Sequence, residues 1–322
     1  MSQEFHPDRN LAMELVRATE AAAIRSFPFI GKGDKNAADG AAVDAMRAFL
    51  GTVNFEGLVV IGEGEKDNAP MLFNGEVVGT KNGPKVDIAV DPIDGTSLTA
   101  AGRQNAISVI AVSDRGSMLD ASAVYKMNKL VVGNSGIGVC DIRMPISENV
   151  KEFAKKTKKP IEEIVVAVLD REYNQEFIEQ IRSVGAAARL FRDGDVAMGI
   201  QAAQHDSRVD ICYGVGGSPE GIVTACGIRA LNGQIQGILH PQSEQEKENG
   251  KAANLEFDHV YEMNDMVSSD NTFFVATGVT DGSMLSGVRK SGNYILTESI
   301  VIRGKSGTVR KVYAEYLASR WT

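Results

Sequence analysis

Cysteine is scarce in this chain of 322 residues: Cys140, Cys212 and Cys226 are the only three, and no CxxC spacing links them. No disulfide framework is expected, and the thiols read as buried side chains in a reducing compartment. Histidine is hardly more useful, because His6, His205, His240 and His259 fall in no metal-ligand spacing. That argues against zinc sites and nucleophilic triads. No stretch approaches the ~18 apolar residues of a membrane span, and Met1 to Asn10 carry no basic-then-apolar leader pattern. A cytoplasmic location is the expectation. Positive charge is also in deficit, with a formal net charge of −8 and a pI near 5.2. An acidic surface does not attract nucleic acid or anionic membrane, so neither is an expected partner.

What the chain has instead is a 43% apolar composition, enough to fill a sizeable core in one large domain or two lobes. Its densest chemistry is Asp91-Pro92-Ile93-Asp94-Gly95-Thr96, directly after the strand-like stretch Val86 to Val90. Proline donates no backbone hydrogen bond, so the strand is expected to end there with both aspartates at its carboxyl edge, where α/β sheets collect ligands. Two carboxylates this close repel each other unless a cation lies between them, and their hard oxygens suit Mg²⁺ or Mn²⁺. Gly95, Thr96 and Ser97 then offer backbone N–H groups at a helix start, a place for a phosphate.

Apolar spacing predicts amphipathic helices over 9–26 and from Ala41 to Val53, with a polar glycine-rich loop, 31–40, between them. Strands are expected at Leu58 to Ile61, Ala106 to Val112 and Lys129 to Val132. The first of these runs into Glu63, which meets Asp91 in space if the two strands are neighbours. From about residue 160 the pattern becomes strand-helix alternation: 164–169, 175–184, 188–191, 196–203 and 209–213. Such alternation signals parallel βαβ units. Pro219 opens a helix to Leu231, Pro241 to Asn254 reads as a mobile surface loop, and strands at 272–276 and 295–302 close the chain. The expected division is an α+β half over 1–160 carrying the metal site, and an α/β half over 161–322 carrying sugar contacts. There is no internal repeat.

Acidic residues flank the predicted strands at Asp39, Glu63, Asp91, Asp94 and Glu220, and together suit two or three divalent cations. The run Gly214-Val215-Gly216-Gly217-Ser218-Pro219-Glu220 follows a strand and opens a helix, so its amides approach a sugar or phosphate closely. Helix capping explains Glu220 equally well. Arg192-Asp193-Gly194-Asp195 offers carboxylates to sugar hydroxyls, or simply N-caps a helix. Arg171, after the strand at 164–169, can neutralise a second phosphate. Tyr125, Lys126 and Lys129 are candidates for an anion pocket.

These residues resemble a known superfamily, the lithium-sensitive, metal-dependent phosphomonoesterases that include inositol monophosphatase and fructose-1,6-bisphosphatase. The blocks 31–47, VVIGEGEKDNAPML (59–72), VDIAVDPIDGT (86–96), DGDVA (193–197), GVGGSPEGI (214–222) and FFVATGVTDG (273–282) are similar to the class II, GlpX-type fructose-1,6-bisphosphatases of bacteria. The resemblance implies an α/β fold, a layered α-β-α-β-α sandwich of the sugar phosphatase type, and hydrolysis of the 1-phosphate of fructose 1,6-bisphosphate in gluconeogenesis. It implies ligation of Mg²⁺ or Mn²⁺ by Asp39, Glu63, Asp91, Asp94 and Glu220, with Lys35 and Asp67 supporting the metals. Thr96, helped by Asp39, would orient or deprotonate the attacking water, and the amides of Gly95 and Thr96 would hold the scissile phosphate beside Asp94. Sugar and second-phosphate contacts would fall on Tyr125, Arg171, Glu172, Tyr173, Asp193, Gly194, Asp195 and Gly217. A sugar bisphosphate is the implied partner, and a dimer or tetramer the implied assembly. Two departures stand out: many relatives have R/K-P-R-H where this chain has Arg171-Glu172-Tyr173-Asn174, and many have glutamate in place of Asp94. Sedoheptulose 1,7-bisphosphatase activity, inositol-phosphatase-like activity and a non-catalytic phosphosugar-binding regulator are the competing readings.

Overall fold

A computed structural model describes residues 11–63 and 72–321. Helices α1 (Ala12–Ser26) and α2 (Lys35–Leu50) come first, followed by strands β1 (Glu56–Ile61), β2 (Val77–Val78) and β3 (Lys85–Asp94). The short helix α3 (Thr96–Ala100) leads to β4 (Ile107–Asp114), β5 (Lys126–Val132) and α4 (Ile146–Thr157). Alternation then sets in with β6 (Val165–Leu169), α5 (Gln175–Ser183), β7 (Ala187–Phe191), α6 (Asp195–Ala203), β8 (Ile211–Gly217), α7 (Ser218–Ala230) and β9 (Gln234–Leu239). The remainder comprises α8 (Glu244–Ala252), β10 (Tyr261–Glu262), α9 (Met263–Met266), β11 (Phe273–Gly278), β12 (Arg289–Ser291), β13 (Tyr294–Arg303) and β14 (Thr308–Leu317).

Two mixed sheets form. One runs β12-β13-β11-β4-β3-β1-β2 with β14 on β13, and the other β10-β9-β5-β8-β6-β7. Their strands alternate between faces, as a period of two demands. In β3, Val86, Ile88 and Val90 face Leu15, Val43 and Met46 of α1 and α2, while Ala89 faces the opposite way. In β5, Met127 and Val131 point toward α6 and α7, while Leu130 and Val132 point toward α4 and α5. Three apolar clusters fill the four seams between five layers, the largest lying on both sides of α6 and α7: α1 and α2, the first sheet, α6 and α7, the second sheet, and α4 with α5. Each large side chain so buried contributes ~1.5–3 kcal/mol. The expected α-β-α-β-α sandwich is what the chain forms. Among the described residues no helix is long and apolar enough to cross a membrane.

The parallel pairs β6–β7 and β6–β8 are the expected βαβ units. Three local expectations need correction. The second helix begins at Lys35 rather than Ala41, because the Asp34 side chain accepts the Ala37 N–H at 2.9 Å and caps it there. Asp39 thus lies on a helix and not beside a strand. Pro92 does not end β3, which continues to Asp94. Pairing with β4 jumps from Asp91↔Val109 to Asp94↔Ile107, so the proline falls in a bulge where no ladder N–H is needed. Finally, 244–252 is helix α8, capped by the Ser243 hydroxyl, which accepts the Glu246 N–H at 3.1 Å.

Candidate active site

The bulge in β3 aims Asp91 and Asp94 into the space between the first sheet and the α6–α7 layer. β1 runs parallel to β3, with Ile61 paired to Ala89, and so delivers Glu63 to the same sheet edge as Asp91. From the middle layer, α7 presents Glu220 in its first turn, and α6 starts at Asp195 behind Gly194 in the left-handed conformation. Asp39 arrives on α2, which packs against α3, whose first residue is Thr96. Gly95 just before it holds φ +100°, the left-handed turn that swings the chain from strand into helix.

Burial and mutual repulsion act together on these carboxyls. Burial first, then Asp39 and Glu220, push Glu63 up to about 7. Burial, followed by Glu63, Asp94, Glu220 and Asp39, holds Asp91 well above the usual carboxylate range. Asp94 is raised by burial and then by Asp195, Glu220 and Asp193, with Lys129 opposing. Glu220 is raised by burial and Asp195 against Lys129, and Asp39 by burial. Asp91 spends Oδ1 on the Ile93 N–H at 3.0 Å. Asp94 Oδ2 and Glu220 Oε2 are buried and accept no hydrogen bond among the described residues.

Such a donor set fits divalent cations: hard oxygens, mutually repelling, two of them orphaned. As they stand, however, no three His, Cys, Asp or Glu side chains among the described residues are arranged to clasp one ion. Side-chain rotation would have to bring them in.

Two cavities open from this locus. One, of ≈ 500 Å³, is lined by Glu63, Asn74, Asp91, Ser122, Tyr125 and Glu220 among others. The second, of ≈ 330 Å³, carries Asp94, Tyr125, Lys126, Arg171, Tyr173, Asp193, Gly194, Asp195, Gly217 and Glu220 on its wall. They share Tyr125, Pro219 and Glu220, so a carboxylate locus continues into a pocket holding Lys126 and Arg171. The combined shape and charge suit a small anion with a polar body. Lys126 donates to the Tyr173 hydroxyl at 3.0 Å and lies 5.0 Å over its ring. Gly217 makes room for the acid: a Cβ there would come within 1.7 Å of Glu220 Oε2.

Thr96 is half-buried and Lys35 is exposed in the first turn of α2; neither lines these two cavities. Glu172 is exposed and off the cavity wall, although its neighbours Arg171 and Tyr173 are on it. Asp67 lies outside the described residues. Two residues matter more than their sequence context suggests. Lys129 is buried and its ammonium lies 2.5 Å from Asp195 Oδ2. Burial alone would pull its pKa down, but Asp195 and Glu220 raise it, so it stays charged. A lysine within the apolar strand KMNKLVV is the signal that marks it. Asn174 is fully buried, donating to Leu169 O at 2.9 Å and Val215 O at 3.0 Å and accepting the Val215 N–H at 2.8 Å. It ties the end of β6 to β8, and nothing in the local pattern announces it.

Residues 9–316 match the family model described as bacterial fructose-1,6-bisphosphatase, glpX-encoded. The chain is 44% identical over 325 aligned positions, 97% of its length and 96% of the relative's, to fructose-1,6-bisphosphatase 1 class 2 of Escherichia coli strain K12. The class 2 fructose-1,6-bisphosphatases of Escherichia coli O6:H1 and Shigella flexneri match to the same extent, at 44% identity. Among solved structures, an extragenic suppressor from Pyrococcus furiosus aligns with 59% of this chain and 68% of its own at a TM-score of 0.30 and 14% identity, too slight a likeness to bear on the fold.

Proposed function

The chain belongs to the bacterial, glpX-encoded fructose-1,6-bisphosphatase family, and we propose that its acidic locus is where the 1-phosphate of fructose 1,6-bisphosphate is hydrolysed. The activity is that of a phosphoric monoester hydrolase, and metal dependence is a general property of the family. The observation that carries the site assignment is the crowd of wholly or partly buried carboxyls with two orphaned oxygens, opening onto a pocket with cationic walls. A cytoplasmic, gluconeogenic enzyme assembled as a dimer or tetramer completes the reading.

Asp39, Glu63, Asp91, Asp94 and Glu220 would hold two or three divalent ions, Mg²⁺ or Mn²⁺ by donor hardness, which when bound lower the pKa of water and neutralise phosphate charge. The Thr96 hydroxyl is too weak an acid to act alone. It orients the attacking water, and Asp39 accepts the proton. Backbone N–H groups of Gly95 and Thr96 hold the non-bridging phosphate oxygens in line for displacement. Tyr125, Asp193 and Gly217 hold the sugar, and Asp195 keeps one oxygen for Lys129. Lys126, Arg171 and Tyr173 receive the distal phosphate, standing in for the second arginine that many relatives carry.

The test is phosphate release by the purified protein from fructose 1,6-bisphosphate with Mg²⁺ or Mn²⁺, and with EDTA. Asp91→Ala, sedoheptulose 1,7-bisphosphate and inositol phosphate run in parallel. Metal-dependent release lost in the variant supports the reading. A folded, metal-loaded protein that binds but releases no phosphate would make it a binding module instead.

A further inference from the structure

The free margin of the first sheet is long. β14 pairs with β13 without interruption from Arg303↔Thr308 to Tyr294↔Leu317, and no strand among the described residues lies beyond it. Proteins blunt such edges with proline, bulges, very short strands or charge. β14 has no proline or bulge over its 10 residues, and its charges, Arg310, Lys311 and Glu315, are of both signs and so suit a self-complementary partner. It also exposes apolar side chains on one face: Tyr313 is 73% exposed, Val309 43% and Leu317 37%, with Tyr294, opposite Leu317, at 46%. Ile302, opposite Val309, and Ile300, opposite Lys311, belong to the inter-sheet core. The exposed stripe is therefore the uncovered continuation of the sheet's inner face.

We propose that a second copy of this chain covers this edge, β14 pairing antiparallel with its own copy about a two-fold axis at Tyr313. A two-fold normal to the sheet requires one residue to face itself, so only registers centred on a residue are allowed. Centring on Tyr313 opposes Lys311 to the second copy's Glu315, twice over, and Val309 to Leu317. Centring on Val312 instead opposes Val309 to Glu315 and Lys311 to Tyr313, matching neither charge nor apolarity. Strand 309–317 is thus self-complementary in one register: main-chain hydrogen bonds supply the affinity and the cross-strand pairs supply the choice. Lys311 is free enough to take part, since its side chain is 57% exposed and its contact with Glu298 is 3.4 Å long.

Light scattering on the full-length protein over a dilution series, for the wild type, Lys311→Glu, Glu315→Lys and the double swap, tests the register. Each single reversal places like charges opposite each other at two points, and is expected to raise the dissociation constant at least tenfold. The double swap restores opposite charges and association. Separately, Tyr313→Cys is expected to cross-link to itself on mild oxidation, while Val309→Cys alone is not. Cys140 and Cys226 are buried and Cys212 is partly so, which keeps the background low. Turnover per protomer and circular dichroism report folding, because none of these residues belongs to the site. A protein that stays monomeric throughout, or an oligomer indifferent to both reversals with no cross-link through position 313, overturns the proposal.

Discussion

Lys129 Nζ lies 2.5 Å from Asp195 Oδ2 and donates also to the Gly217 carbonyl at 2.6 Å. One ammonium thus joins β5, α6 and the end of β8 behind the carboxyl locus, and opposes the repulsion felt by Asp94 and Glu220. Replacing it by Met leaves Asp195 buried beside other acids without its cation. Breaking a buried pair from one side costs about 3–5 kcal/mol, so Lys129→Met is expected to lose several degrees of melting temperature together with most turnover. Lys129→Arg, too large for this contact, is expected to recover little. Thermal unfolding beside steady-state kinetics checks both.

Asp91→Asn is expected to act in opposite directions on stability and turnover. In the metal-free protein it removes a carboxyl whose ionised form is disfavoured by burial first and then by Glu63, Asp94, Glu220 and Asp39, so melting temperature in EDTA should rise by a few degrees while phosphate release vanishes. A lower melting temperature in EDTA would refute the argument from burial and repulsion.

The pH dependence of the metal-free protein follows from Glu63, raised from 4.5 to about 7. Its folded form holds the proton more tightly than its unfolded form. The resulting stabilisation is full below 4.5 and is lost as pH rises through about 7, a difference of about 3 kcal/mol. Melting temperature in EDTA should therefore fall across that window, and fall less in Glu63→Gln. Added Mn²⁺ should flatten the slope, since a bound cation replaces the proton.

Gly217→Ala tests how tightly the loop is drawn around the acid. The new Cβ would meet Glu220 Oε2 at 1.7 Å, and the carboxyl, being the end of a side chain, swings away. The expected result is a loss of turnover of tenfold or more with little change in melting temperature, and a higher Mn²⁺ concentration needed for half activity.

Much of this was legible in the sequence because the signals are local. The hexapeptide from Asp91 to Thr96 and the glycine loop before Glu220 carry both their backbone geometry and their chemistry within a few residues. Glu63 was placed beside Asp91 on the single assumption that their strands are neighbours, which the β1–β3 pairing supplies. What escaped depended on partners far along the chain. Pro92 reads as a strand terminator until β4 is there to accept a bulge. Strand β9 stays hidden because Gln234 and Gln236 interrupt its apolar run, and Gln236 is buried only through bonds to Ile142 and Glu262. β14 stays hidden because its composition is that of an exposed strand, with Arg310, Lys311 and Glu315 breaking the pattern. Helix α8 was missed for its polarity, although Ser243 and the Lys247–Glu244 pair stabilise it locally.

Asp91 and Asp94 belong to the first sheet, whereas Glu220 sits on the helix layer packed against it. Whatever neutralises these groups together also rivets one slab of the sandwich to the next. Dialysis against a chelator should then do more than silence the enzyme: amide hydrogen exchange should quicken along the first turns of α7 and at the end of β3 while the outer helices stay protected. On that reasoning, the shelf life of the purified protein is set by the mineral content of its buffer.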